Sequence, residues 1–116
     1  MVISVYPGDV FGADLSYRSD QTNLHLKGEL DLAAHDAFLG ALGEAEAAEA
    51  PVVIVDMREL RFIDSSGIRA LLIAVDRATN NNHTVVFTQG SAVVERTLEL
   101  AGVTRLLPRH VGTSTA

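Results

Sequence analysis

The sequence lacks cysteine and tryptophan and contains a single lysine, Lys27. Without cysteine the chain cannot form disulfides, bind a metal through thiolates or use a cysteine nucleophile, a composition that suits a reducing compartment. No two of the four histidines stand three or four residues apart, so a helical pair of metal ligands is not expected. The longest apolar run, Ala70–Val75, is far shorter than the roughly 20 residues of a membrane-spanning helix.

Acidic residues outnumber basic ones, and the formal net charge of the 116-residue chain is -6. This sign disfavours phosphate backbones and anionic membranes as direct partners. The N-terminal residues show no basic segment and no cleavage site of a signal peptide, so a cytoplasmic protein is expected. The length predicts one domain over residues 1–116, with a core at about 13–107 and a flexible tail at 111–116.

Two segments of strict alternation between apolar and polar residues predict a β-hairpin. They are Ala13–Tyr17 and Leu24–Leu30, and the polar turn Ser19–Gln21 separates them. Val2–Tyr6 is predicted as an edge strand that ends at Pro7. An apolar edge strand can pair with a second copy of itself, which leaves a homodimer open.

Beyond the hairpin, helical and strand periodicities alternate. The predicted helices are Ala33–Ala48, about Ser66–Thr79, and one capped by Ser91 with Val94, Leu98 and Ala101 inward and Gly102 after its end. The predicted strands are Val52–Val55, His83–Thr88 and Arg105–Leu107. This order predicts an α/β fold with a mixed β-sheet, parallel in its second half and packed against helices.

The most informative segment is Asp64-Ser65-Ser66-Gly67, between a buried strand and a helix. Such a junction is exposed and presents backbone N–H groups at the positive end of the helix. In the simplest interpretation, one of the three polar residues is an N-cap and Gly67 relieves crowding in the first turn. Three polar side chains are more than one cap needs, so a second role is considered.

Asp64-Ser65-Ser66-Gly67 resembles the phosphorylation loop of STAS domains and is most similar to that of the bacterial anti-sigma factor antagonists. Gly28-Glu29-Leu30-Asp31, at the end of the predicted hairpin, matches the other recurrent motif of the family. The resemblance extends from about Ala13 to Leu107, with the segments in the same order.

The resemblance implies a switch based on protein binding, without a cofactor, a metal or an enzymatic activity of its own. In this family the unphosphorylated antagonist binds an anti-sigma factor that is also a serine kinase, and thereby frees a sigma factor. The kinase phosphorylates the serine after the aspartate, here Ser65, and the complex dissociates. A separate serine phosphatase restores the binding form.

The partner surface is expected to include Asp31, Ile68, Arg69 and Ile73. Arg69 and Ile73 lie on one face of the predicted helix that follows the loop, and Asp31 is near the loop if the family geometry holds; simple capping by Asp31 explains it equally well. Ile68 stands where leucine is usual in the family, and Arg69 stands where a small residue is common. These two departures from the family pattern bear on which kinase fits the surface more than on whether a kinase binds there.

Two other functions are compatible with a domain of this size. A serine hydrolase needs a base, but the histidines fall on separate elements and no Gly-x-Ser-x-Gly elbow exists; His25 and His35 are expected to be solvated. The serious alternative is a STAS domain that does not switch, either a scaffold of a signalling assembly or an accessory subunit of a lipid-transport complex.

Overall fold

The described residues, 2–6 and 10–110, form five strands and three α-helices in this computed structural model. The strands are β1 (Val2–Tyr6), β2 (Phe11–Tyr17), β3 (Gln21–Leu30), β4 (Val52–Ile63) and β5 (Thr84–Phe87). The helices are α1 (His35–Ala47), α2 (Ser65–Asn80) and α3 (Ala92–Leu100), with short 3-10 turns at Leu32–Ala34 and Thr104–Leu106. The predicted flexible tail lies outside the described residues.

The strands form one mixed sheet in the order β1-β2-β3-β4-β5. The first three pair antiparallel, whereas β3, β4 and β5 are mutually parallel. Helix α1 connects β3 to β4, and α2 connects β4 to β5. Both connections advance in the same direction across the sheet, so right-handed crossovers place both helices on one face. The predicted mixed sheet and its N-terminal edge strand are confirmed.

The hydrophobic core lies between this face of the sheet and the helices. The even-numbered residues of β3 from Thr22 to Leu30 are buried, and an apolar stripe of the segment predicted as the helix Ala33–Ala48 packs against them. That stripe consists of Ala34, Phe38, Ala41, Leu42 and Ala45, all of them buried. The opposite side of the sheet carries His25, Lys27 and Glu29 of β3, none of them buried, and is called the open face below.

Strand β4 continues eight residues beyond the predicted Val52–Val55. The sequence pattern does not show this continuation, because two irregularities in the strand interrupt the alternation of inward and outward side chains. The pairing with β3 shifts register between His25 and Lys27 and again between Gly28 and Glu29. Each shift adds an extra residue to one strand and turns the following side chains. As a result the inward residues after Met57 are Leu60 and Ile63, three apart, whereas a regular strand buries every second residue.

The predicted strand at Arg105–Leu107 is wrong, because Thr104–Leu106 forms a 3-10 turn. The chain leaves α3 through Gly102, whose φ of 74° suits a residue after a helix end, and turns back toward the sheet. It reaches the edge only at Arg109, whose neighbours Pro108 and His110 hydrogen-bond Phe87. Ala101, predicted inward, is exposed at the C-cap of α3.

The first turn of α2 packs directly on the end of β3. A Cβ atom on Gly67 would lie 2.2 Å from the Leu30 carbonyl oxygen and 2.6 Å from Cγ1 of Ile63. Both distances are far below van der Waals contact, so only glycine allows this approach. The glycine of the Asp-Ser-Ser-Gly segment is therefore required by packing, whatever else the segment does.

We predict that Gly67→Ala destabilises the fold by about 1–3 kcal/mol, because the added methyl group must push α2 away from β3. Urea denaturation measures the change. The matched control is Gly43→Ala in α1, where the new Cβ meets only Nη2 of Arg77 at 3.7 Å. That substitution should stabilise the chain by roughly 0.5–1 kcal/mol through helix propensity. Equal effects of the two substitutions would contradict the proposed close packing at Gly67.

Candidate functional site

Asp64 is the N-cap of α2 and sets the geometry of the loop. Its backbone is extended, and its Oδ1 accepts hydrogen bonds from the backbone N–H groups of Ser66 (2.9 Å) and Gly67 (3.0 Å). Its carbonyl oxygen accepts the first helical bond, from the N–H of Ile68 at 2.9 Å. Of the three polar residues that the sequence offered as caps, the structure therefore selects Asp64.

Ser65 is the first residue of α2, and its side chain is exposed. Within residues 10–110, no group hydrogen-bonds its hydroxyl. The Asp64 carboxylate points to the backbone of the helix and not to this hydroxyl. Ser66 is only partly exposed. Ser65 is thus the more accessible of the two serine hydroxyls in the loop.

The structure brings the second motif next to this loop. The backbone N–H of Asp64 donates to the carbonyl oxygen of Leu30 at 3.3 Å, which joins the end of β3 to the start of the loop. Asp31 follows, and its Oδ1 accepts from the N–H of Ala34 at 3.1 Å, capping the first 3-10 turn. Each predicted motif therefore supplies a capping aspartate, and the two aspartates lie at the same end of the sheet.

The other predicted site residues differ in accessibility. Ile68 is buried in the core, Arg69 is exposed and Ile73 is half-buried. Among the described residues Arg69 has no ion-pair partner. Arg77, two turns after Arg69 on α2, forms an ion pair with Glu46 of α1. Of the predicted partner residues on α2, Arg69 and the edge of Ile73 are therefore accessible.

Sequence reasoning missed a polar network at the centre of the open face. His25 of β3, predicted to be solvated, is held between two carboxylates of β4: its Nδ1 lies 3.1 Å from Asp56 and its Nε2 lies 2.7 Å from Glu59. Arg58 adds hydrogen bonds from Nε and Nη2 to Asp56, at 2.9 and 2.6 Å. The alternating pattern of β3 does not indicate this network, because the pairing of β4 with β3 brings the two carboxylates to His25.

The network shifts the pKa values of its members. Burial alone would lower the pKa of His25, but hydrogen bonds with Glu59 and Asp56 outweigh it and raise the pKa above its ordinary 6.5. Burial likewise works against ionisation of Asp56, yet the bonds from Arg58 and His25 hold the pKa of that carboxyl well below its usual range. A ring with both nitrogens on carboxylates is a double donor, so His25 is favoured in its protonated form.

The described residues contain no group of three histidine or carboxylate side chains that could hold a metal ion. None of the helices in the described part of the chain is long and apolar enough to cross a bilayer. Fold and loop together define a small α/β domain that presents an exposed serine at the start of the helix following its longest strand. The chain belongs to the STAS family: a family model described as "Mlab, STAS domain" matches residues 14–108.

Solved structures show the same fold at low sequence identity. An anti-sigma factor antagonist from Mycobacterium paratuberculosis is 18% identical, with 92% of this chain and 91% of that one aligned and a TM-score of 0.74. The Bacillus protein SpoIIAA in its unphosphorylated form is 19% identical, with 85% of this chain and 88% of that one aligned and a TM-score of 0.69. A sulfate transporter family protein from Wolinella succinogenes is 20% identical, with 79% of this chain and 75% of that one aligned and a TM-score of 0.66.

We predict that Asp64→Ala costs about 0.5–2 kcal/mol of stability, because two helix N–H groups lose their acceptor. Ser66→Ala should change stability by less than about 0.5 kcal/mol, since no described group bonds its hydroxyl. Thermal or urea unfolding of both variants measures the difference. Asp64→Asn, which keeps an acceptor oxygen, should recover most of the loss. A larger cost for Ser66→Ala than for Asp64→Ala would refute this assignment of the cap.

The His25 network predicts a defined pH dependence. Because the pKa of His25 is higher in the folded than in the unfolded chain, its contribution is complete below pH 6.5 and is lost as the pH rises through the folded value. The stability difference between the wild type and His25→Gln should therefore be largest below pH 6.5 and shrink as the pH rises from there through the folded pKa of the ring. Urea unfolding across that range, with NMR titration of the ring, tests this. A ring pKa below 6.5 would contradict it.

Proposed function

We propose that this protein is an anti-sigma factor antagonist that is switched off by phosphorylation of Ser65. The observation that carries the proposal is the exposed, unengaged Ser65 hydroxyl, directly after the capping Asp64 at the start of α2. The fold likeness to two anti-sigma factor antagonists supports it, and one of them, SpoIIAA, has been solved in both unphosphorylated and phosphorylated forms.

In the unphosphorylated state the protein binds an anti-sigma factor with serine kinase activity and so frees a sigma factor in the cytoplasm. The contact surface includes Ser65, Asp31 and the exposed side of α2 at Arg69 and Ile73. Ile68, which is buried, supports this surface from the core. An exposed arginine beside an aliphatic side chain is a common combination at binding hot spots.

Phosphorylation ends binding through charge. A phosphoserine adds about -1.5 to -2 charges at neutral pH. The helix N–H groups of Ser66 and Gly67, which would otherwise receive the phosphate, already bond the Asp64 carboxylate, and that carboxylate repels a second anion. Arg69, four residues after Ser65 on the same helical face, has no ion-pair partner among the described residues and can reach the phosphate. The phosphate therefore withdraws Arg69 from the partner as well as blocking Ser65.

The fold is expected to survive the modification, since Ser65 lies on the surface and takes no part in the core. A serine phosphatase then completes the cycle by restoring the hydroxyl. The protein itself acts as substrate and binding partner and needs no catalytic residue of its own.

The second candidate is a STAS domain that binds a larger assembly without switching, such as a scaffold of a signalling complex or an accessory subunit of a lipid-transport complex. The observation in its favour is the likeness to a sulfate transporter family protein. Such a subunit would need the helix face but not the Ser65 hydroxyl. The two candidates therefore differ in a single measurable property, the phosphorylation of Ser65. Pairing of β1 edges between two copies is compatible with either.

We predict that incubation with the cognate kinase and ATP places phosphate on Ser65. Trypsin releases the loop as the peptide Phe62–Arg69, and fragmentation of that peptide distinguishes Ser65 from Ser66. Ser65→Ala should fold normally and keep the partner bound persistently. Ser65→Asp should weaken binding at least tenfold, or about 1.4 kcal/mol, but less than phosphate does, because it carries less charge.

Ser66→Ala is the matched control, and it should be phosphorylated and released like the wild type. Phosphate on Ser66 alone would overturn the choice of acceptor. Absence of phosphate with a kinase that is active on another antagonist would favour the non-switching subunit.

A further inference from the structure

Large apolar side chains surround the Ser65 loop without being part of the core. Leu32 is 73% exposed, Val10 is 55% exposed and Phe62 is 43% exposed. Single exposed apolar residues are ordinary on protein surfaces, but a group gathered at one edge of the sheet is characteristic of a binding site. These three residues are called the apolar rim below.

Hydrogen bonds at the end of the sheet bring two members of the rim close to each other. Phe62 of β4 is paired with Glu29 of β3, so both side chains lie on the open face. The N–H of Glu29 donates to the carbonyl oxygen of Val10 at 2.6 Å, which places the backbone of Val10, just before β2, beside the same residue. One further pair, the buried Leu30 and Ile63, follows before the loop begins.

Leu32 approaches the loop from the other motif. It follows Asp31 in the first 3-10 turn, and the preceding Leu30 carbonyl accepts the N–H of Asp64. Phe62 stands three residues before Ser65 along the chain, on β4. Ser65 is therefore flanked by an exposed leucine on the β3 side and by an exposed aromatic ring on the β4 side.

We propose that the apolar rim is the docking surface for the anti-sigma factor kinase that acts on Ser65; this inference rests on the proposed function. A kinase must cover the residues around its acceptor serine, and Leu32 and Phe62 are the apolar anchors next to it. Buried aromatic and aliphatic anchors provide most of the binding energy in protein interfaces.

A second copy of this chain is the less suitable occupant. Two copies meeting at the rim would cover both Ser65 hydroxyls and exclude the kinase. They would also bring together Glu29, Asp31 and Asp64 from each copy, in a protein of net charge -6. Like charges brought together across an interface are unfavourable, whereas a basic or neutral partner avoids this cost.

The experiment compares two leucines of almost equal exposure. Leu32→Asp changes the rim, and Leu100→Asp changes the far end of α3, where Leu100 is 76% exposed. Binding is measured by calorimetry with the anti-sigma factor kinase of the source genome that phosphorylates the wild-type chain. Leu32→Asp and Phe62→Ala should each weaken binding at least tenfold, whereas Leu100→Asp should stay within twofold of the wild type. Melting temperatures check the fold of each variant.

Ser65→Asp in the same assay separates the two proposals. If Ser65→Asp weakens binding but both rim variants bind like the wild type, the rim is not the docking surface and the proposed function stands. If no kinase of the genome phosphorylates the chain or binds it, the proposed function fails and the rim proposal fails with it. If Phe62→Ala lowers the melting temperature, Leu32→Asp decides alone, because its side chain packs on nothing in the core. An equal loss in Leu100→Asp would also overturn the proposal.

Discussion

The contact between Gly67 and the carbonyl oxygen of Leu30 is the constraint on which the site depends. It lets the first turn of α2 rest on the end of β3 at a distance that no side chain permits. The hydrogen bond from Asp64 to Leu30 forms in the same place. Two segments more than thirty residues apart, Gly28–Asp31 and Asp64–Gly67, thereby become one surface. Without this contact Ser65 would still begin a helix, but Asp31 and Leu32 would not lie beside it.

The sequence predicted those parts of the structure that local rules determine. The alternation of β3, the helical periodicity of α1 and the start of α2 each depend on residues within a few positions of one another, and all three are as expected. Gly102 after α3 belongs to the same class. What the sequence did not reveal depends on pairing between distant strands. Two register shifts in β4 turn Phe62 outward and bring Glu59 to His25, and no pattern within β4 alone indicates where they fall.

The open face is neutralised by pairs formed within it. Besides the His25 network, Lys27 lies 3.5 Å from Asp14, and Arg61 lies 3.9 Å from Glu29. Exposed pairs of this kind contribute little to stability, about 0–1 kcal/mol each. Their effect here is rather on the distribution of charge, because cations on this face are already matched to carboxylates. The described arginines without an ion-pair partner are Arg18, Arg69, Arg96 and Arg105, because the other four are paired with carboxylates.

Arg69 is one of these four arginines, and its position connects the fold to the proposed switch. It is exposed, has no ion-pair partner among the described residues, and lies one helical turn after Ser65. The capping bonds of Asp64 occupy the helix N–H groups that ordinarily attract a phosphate. In the proposed switch, a phosphate on Ser65 would therefore be directed to the side chain of Arg69, the group proposed to contact the partner when Ser65 is unmodified. Competition between these two acceptors for one arginine would couple a local modification to the loss of the proposed interface without a change in the fold.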